Sequence, residues 1–482
     1  MMPTVPSLSY PTLRSANTAI ERAYRIAIGD LAGNVHPFKD GLLDKPEPVL
    51  LAGLDYDTPW TRDAAINVWN GLGLVWADVA RSTLLSVLER RPNGVYIGGQ
   101  YWDAIIWALG SWAYYCYTGQ RDFLALAYQA VNNSLERFEE EEFDPQVGLF
   151  RGPAVLGDGV AAYPDRYSPG GTSAIMDWVN ANPTHKASSG FGIPMMSLST
   201  NCIYYQSYRI ANCMAVELGL EENPHYAKRA VALAERIQEH FWDAGRGHFR
   251  YLVDPQGGCD YQEGLGHAFA LLFGLATPDQ ARSVLANQTI TPAGIPCVWP
   301  TFPRYATLGG FGRHSGPVWP FVSAFWGEAA LDHHRPDLFV QEFERFTAHI
   351  NRHEQCTELI HPLTSEIYGG LQEAGKGPDG MEWVSCARQS WSASAYLRMI
   401  LSGVDGMRFS PAGITFQPYL TPGLTPLHLN GLPYRAARLN LHVEGSGGNL
   451  NEFRLNGQPA KPFLPAGLEG EHEIFIHMTN AR

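Results

Sequence analysis

Apolar residues recur at i, i+3 and i+4 through most of the first 400 positions, the spacing that lays one stripe along a helix. Between the breakers this periodicity predicts helices over 16–29, 61–71, 74–90, 102–118, 121–140, 198–218, 224–241, 262–275, 278–287, 317–333, 337–351 and 388–402. Twelve helices make six hairpins. Short joints with turn chemistry, such as Tyr117-Thr118-Gly119-Gln120 and the run from Gly219 to Pro224, suit antiparallel neighbours. Three long Gly- and Pro-rich connections, 141–197, 288–316 and 352–387, break the rhythm. Loops of that length inside a compact domain carry function or are disordered. These hold Trp299, Tyr368 and Trp383 among glycines and acids, which is not a disordered composition. They read as the walls of a pocket at one end of the helices.

After residue 405 the period falls to two. Gly413-Ile-Thr-Phe-Gln, Ala437-Arg-Leu-Asn-Leu-His-Val and His472-Glu-Ile-Phe-Ile-His-Met alternate between turn residues. The expected organisation is a helical domain over 1–405 and a small β-sandwich over 406–482, the latter serving packing rather than chemistry.

Charge narrows the partners. With 48 acidic against 35 basic residues the net charge is −13, and no basic stretch is present to track a phosphate backbone, so nucleic acid is excluded. The first thirty residues contain no continuous apolar segment, and no later run approaches the roughly 18 apolar residues of a membrane span. A soluble, unexported chain with no membrane partner is expected. Seven cysteines, odd in number and never in CxxC spacing, point to reduced thiols in a cytoplasm rather than disulfides or zinc. No histidine pair has metal spacing, and Gly309-Gly-Phe-Gly lacks the Lys-Ser/Thr of a phosphate loop. No cofactor or metal is called for.

The aromatic content changes the picture more than the charge does. Thirteen Trp and 22 Tyr are many for a chain in which only 17% of residues are charged. Sugars present flat C–H faces that stack on such rings, and hydroxyls that need carboxylates and amides. Trp60-Thr61-Arg62-Asp63 opens a helix after the turn at Thr58-Pro59, and Tyr101-Trp102-Asp103 opens another after Gly98-Gly99. One aspartate in a first turn is ordinary dipole complementation; two aromatic-plus-Asp starts suggest a sugar subsite, with Arg62 as a clamp. In the first long loop Gly157-Asp158-Gly159 precedes Tyr163-Pro-Asp165-Arg166-Tyr167. The bland reading of Asp158 is a turn residue. Its aromatic surroundings also suit a carboxyl kept protonated by burial, as a general acid requires. In the last long loop Glu366, before Tyr368-Gly369-Gly370, is the expected base that activates water, with Glu373 as its rival. Gln389 and Trp391 open the final helix, and Trp319 leads the one before, after His314. Glu263 at another helix start is either a cap, a third substrate-binding carboxylate or an alternative acid.

These stretches resemble the inverting six-hairpin glycosidases, the superfamily that includes glucoamylases, trehalases, glucosylglycerate hydrolases and glycoside hydrolase family 63. The likeness is an order of short motifs over roughly residues 50–400. It implies an all-α (α/α)6 toroid and an exo-acting hydrolase that inverts the anomeric centre of a small carbohydrate substrate, most simply an α-glucoside. It implies Asp158 as acid and Glu366 as base, their carboxyls roughly 6.5–9.5 Å apart. It also implies a binding set of Trp60, Arg62, Asp63, Trp102, Asp103, Asp165, Arg166, Glu263, Trp319, Tyr368, Gln389 and Trp391. The acid loop departs from the family's pattern in lacking the Trp that usually accompanies such an Asp. A sugar 2-epimerase on the same barrel would need two histidines in one pocket, for which His267 and His314 are the candidates. A phosphorylase would need a basic phosphate subsite, which the sequence lacks.

Overall fold

The computed structural model describes residues 8–157, 159–168, 173–183, 190–373, 381–421 and 423–480. Twelve principal helices appear where the periodicity puts them. They are α1 (Thr18–Gly33), α2 (Thr61–Asn67), α3 (Ala77–Ser86), α4 (Trp107–Thr118), α5 (Arg121–Glu142), α6 (Leu198–Leu218), α7 (Pro224–Phe241), α8 (Gly264–Leu272), α9 (Pro278–Asn287), α10 (Pro320–Asp332), α11 (Pro336–His353) and α12 (Ser390–Arg398).

Their ends follow local chemistry. Asn17 caps α1 through Ala19 N–H at 3.0 Å, and Asn223 caps α7 with Pro224 in its first turn. Thr277 and Gln280 form a reciprocal capping box on α9. α4 and α6 stop at Gly119 and Gly219, whose φ values of 69° and 78° lie in the left-handed region that glycine tolerates. Two inner helices continue as π-turns, Val68–Leu72 after α2 and Met399–Val404 after α12, neither of which a 3.6-residue period anticipates.

The even-numbered helices form a closed cycle of neighbours: α2 packs on α4, α4 on α6, α6 on α8, α8 on α10, α10 on α12 and α12 on α2. Their residues are buried nearly all round, as on α10 from Pro320 to Ala330. The odd helices α1, α3, α5, α7 and α11 lie against this cycle, and α7 and α11 bury one stripe while presenting charge outward. Among the described residues, the paired strands before residue 400 and beyond the first strand are short antiparallel pairs, among them the hairpins of Val35–Phe38 with Glu47–Leu50 and Leu88–Arg91 with Gly94–Ile97.

The chain ends in a sheet domain. Its strands are β2 (Met407–Ser410), β3 (Gly413–Phe416), β4 (Leu427–Tyr434), β5 (Ala436–Gly445), β6 (Asn449–Leu455), β7 (Gln458–Pro459), β8 (Phe463–Pro465) and β9 (Glu469–Thr479). One sheet has the order β2-β3-β8. The other is completed from the far end of the chain: β1 (Thr12–Ser15) is its edge, in the order β1-β4-β5-β9-β6-β7. The alternation of β5, with Ala437, Leu439, Leu441 and Val443 inward, continues one apolar core shared with the helices.

Candidate active site

Helices that alternate in direction bring the starts of the even-numbered ones to the same end of the cycle. There they surround a cavity of about 340 Å³, at the small end of the range for ligand pockets. Its lining comes from the start of α2 (Trp60, Thr61, Arg62, Asp63), from Gln100 and Asp103 ahead of α4, from Trp319 at the start of α10, and from Gln389 and Trp391 at the start of α12. Each of the three long loops adds to it: Val160 from the first, Arg313 and His314 from the second, Glu358, Gln372 and Trp383 from the third.

Three of the tryptophans and two ion-paired arginines define its chemistry. Trp319 and Trp391 are buried and meet edge to face, with ring centroids 5.2 Å apart. Trp60 is 55% exposed at the mouth, with φ of +46°, an uncommon conformation for a bulky residue. Arg62 places Nη1 2.8 Å from Asp103 and 3.2 Å from the Val155 carbonyl, with Nη2 4.0 Å from Asp63 and its guanidinium over Trp391. Arg62 therefore orients two carboxylates at the cavity wall. His314 lies parallel to Trp319, centroids 4.9 Å apart, and its Nδ1 donates to the Val160 carbonyl at 2.8 Å, which ties the first loop to the second.

The ion pair of the second arginine was not anticipated. Glu358, 1% exposed, takes Arg313 Nη2 at 2.7 Å and the Tyr56 hydroxyl at 2.8 Å on Oε1, and the Cys386 N–H at 2.8 Å on Oε2. Arg313 also donates to the Gly369 carbonyl at 2.9 Å and lies over Trp383 and Trp319. Burial and the neighbouring Glu358 charge push the Tyr56 hydroxyl well above its ordinary value, so it stays a donor. A carboxylate held by charge-assisted bonds in a tryptophan-lined cavity has the character of a positioned base.

The other expected residues are placed differently. Asp158 lies outside the described residues. Glu366 does not line the cavity: it is half-exposed and pairs with Arg352, with His353 at 3.8 Å. Trp102 is buried against Tyr101 and Phe191 behind the cavity wall rather than in it. Asp165 is held by Arg304 and Arg166 by Asp254, both along a separate open groove. Tyr368 bonds the Phe311 backbone, and Glu373 is exposed. Glu263 is fully buried between α6 and α8, accepting the Ser199 N–H at 3.1 Å, and burial pushes its carboxyl up to about 8. It does not line the cavity, which removes the alternative-acid reading. His267 is buried between Gln288 and the Phe249 carbonyl and does not share the cavity with His314, so the paired-histidine reading fails too. Among the described residues no group of three or more His, Cys, Asp or Glu is arranged to hold a metal ion.

The sequence profile of the mannosylglycerate hydrolase MGH1-like glycoside hydrolase domain matches residues 104–392, well over half of the chain. The chain belongs to the MGH1-like glycoside hydrolases. That family is one of glycoside hydrolase domains. Among similar solved structures is a GH63 mannosylglycerate hydrolase from Thermus thermophilus in complex with glucose, with a TM-score of 0.59 and 16% identity over 78% of this chain and 100% of that one. A sialidase gives a TM-score of 0.66 at 14% identity, covering 94% of this chain and 40% of its own. A GH78 rhamnosidase of Bacillus sp. GL1 gives 0.56 at 18% identity, covering 98% and 44%. At these identities the likeness is one of fold, and the chain spans less than half the length of the sialidase and the rhamnosidase. A search of curated proteins finds no match. Among the described residues of this MGH1-like glycoside hydrolase, no helix is long and apolar enough to cross a membrane.

Proposed function

We propose that this glycosidase is exo-acting and inverting, with Glu358, rather than Glu366, as general base and Asp158 as general acid. The observation that carries the reading is Glu358 itself, a carboxylate held in the tryptophan-lined cavity by Arg313 and Tyr56. In this mechanism a water between Glu358 and the anomeric carbon gives its proton to the carboxylate as its oxygen attacks. The leaving oxygen takes a proton from Asp158, and the sugar departs with inverted configuration. Support for Asp158 comes from the sequence motif and from Val160, two residues on, which lines the cavity. The buried pair Trp319 and Trp391 closes the floor, which suits one terminal sugar rather than an internal stretch of polymer. Asp63 and Asp103, oriented by Arg62, are suited to its hydroxyls.

The substrate is a small α-glycoside of glucose or mannose, a choice supported by the family and by the glucose in the Thermus structure. The closed cycle of even-numbered helices supports an (α/α)6 toroid over 1–405, and the two sheets support a β-sandwich over 406–482. Seven unpaired cysteines support a cytoplasmic enzyme.

Proton NMR of fresh hydrolysis of α-glucosyl and α-mannosyl fluoride tests the stereochemistry: the β-anomer should appear first, and the α-anomer would overturn inversion. Glu358→Gln should lower turnover on both fluorides and natural disaccharides by roughly 10²–10⁴-fold. Asp158→Asn should lower it on disaccharides and far less on fluorides, whose leaving group needs little protonation. Wild-type turnover in Glu358→Gln rejects the base.

A further inference from the structure

Glu358 is carried by a loop, and a loop has to be held if its carboxylate is to address one water. On the cavity side the loop is fixed by pairing of Ile360 with Val318 and by the Cys386 N–H on Glu358. On the opposite side lies the last part of α11, and there a single buried side chain, His349, bonds both limbs of the loop. Its Nδ1 is 3.1 Å from the Ser365 carbonyl and its Nε2 is 2.8 Å from the Thr357 hydroxyl.

These two contacts determine the tautomer. A carbonyl oxygen only accepts, so Nδ1 carries the proton, and Nε2 is left with a lone pair that accepts from Thr357. Burial and the nearby His353 push His349 down to about 4, which keeps the ring neutral and both bonds intact near neutrality. Thr357 is buried and immediately precedes Glu358. Ser365 has φ of +60°, an uncommon conformation for serine, and so needs support from its surroundings. His353, its ring 4.4 Å from His349, and Arg352 face Glu366, the residue after Ser365. The end of α11 thus bonds the residue before the base on one limb and a strained residue on the other.

We propose that His349 is a positioning residue for Glu358: by bridging Thr357 and Ser365 it sets the backbone from which the carboxylate reaches the attacking water. The inference rests on the assignment of Glu358 as base. A carboxylate misplaced by about 1 Å costs on the order of 10²-fold in rate while substrate binding is little changed. Neither His349 nor Thr357 lines the cavity, so a loss confined to kcat identifies positioning, whereas general loosening of the fold lowers thermal stability and the active fraction together.

The test uses α-glucosyl and α-mannosyl fluoride, whose cleavage depends on the base more than on the acid. His349→Leu and Thr357→Val, each checked for folding by circular dichroism and thermal melting, should lower kcat roughly 10- to 100-fold with KM within about twofold. The double variant should be no slower than the worse single one, since both remove the same bridge. His349→Gln, which can donate to Ser365 and accept from Thr357, should recover most of the rate. A folded His349→Leu or Thr357→Val with kcat within about twofold of wild type overturns the proposal, as do losses that multiply in the double variant. If His349→Leu does not fold, Thr357→Val decides by the same criterion. Full activity in Glu358→Gln would remove the underlying base assignment. An inactive Glu358→Gln beside fully active His349 and Thr357 variants would remove this inference alone.

Discussion

Glu366 and Glu358 share one loop, yet only the latter faces the cavity, and the difference shows what a sequence motif conveys about a single side chain. Glu366 stands before an aromatic and two glycines, the surroundings of a functional acid. Its carboxylate nevertheless turns outward to Arg352. Half-exposed pairs of this kind contribute about 0–1 kcal/mol. Glu366→Gln is therefore expected to retain turnover within about twofold and to shift melting by no more than a degree or two. A hundredfold loss in steady-state rate would return the base to Glu366. Glu358 was illegible for a physical reason. In Thr357-Glu358-Leu359-Ile360 it looks like one polar position in a buried run, and the groups that hold it, Tyr56 and Arg313, come from distant parts of the chain. That Trp60, Arg62, Asp63, Asp103, Trp319, Gln389 and Trp391 line one cavity was legible because helix starts are local signals, and the fold gathers those of the even helices at one end.

At the scale of elements, periodicity located every principal helix to within a few residues. It missed what other forces shape. The helix expected over 74–90 gives way at Leu88 to a hairpin with Gly94–Ile97, and the one expected from 102 is broken before Trp107. Trp102, on the short helix Tyr101–Ala104 ahead of that break, is buried against Phe191 and does not line the cavity as the sequence predicts. Glu263 marks the joint between two elements: it ends a short strand paired with Val298, starts α8, and accepts the backbone N–H of Ser199 on α6. Burial pushes its carboxyl from the ordinary 4.5 up to about 8, so the folded chain keeps a proton that the unfolded chain releases. The stability this provides is complete below the unfolded value and is lost as pH rises through about 8. Thermal melting from pH 5 to 9 should show a falling midpoint that flattens in Glu263→Gln, whose amide keeps an acceptor for Ser199 and carries no charge. An unchanged slope would mean that Glu263 does not report this linkage.

For the whole molecule, the change from helices to strands near residue 405 was visible because hydrophobic period changes there, whereas the membership of β1 in the C-terminal sheet was not. Four residues near the N-terminus carry no signal of where their partner lies. Leu13 is buried beside Leu429, and Leu13→Ala should cost about 2 kcal/mol. The loss should appear as a lower urea midpoint by tryptophan fluorescence, with glycosidase activity intact below the transition. An unchanged midpoint would mean that this edge strand adds little to the fold. The pairing also sets an order of events as the chain is made. Thr12–Ser15 leaves the ribosome ahead of the twelve helices, whereas Leu427–Tyr434 follows them. Closing so long a loop costs little more than closing a moderate one. The delay is therefore one of timing: Thr12–Ser15 stays without this sheet partner until the twelve helices between them have been synthesised.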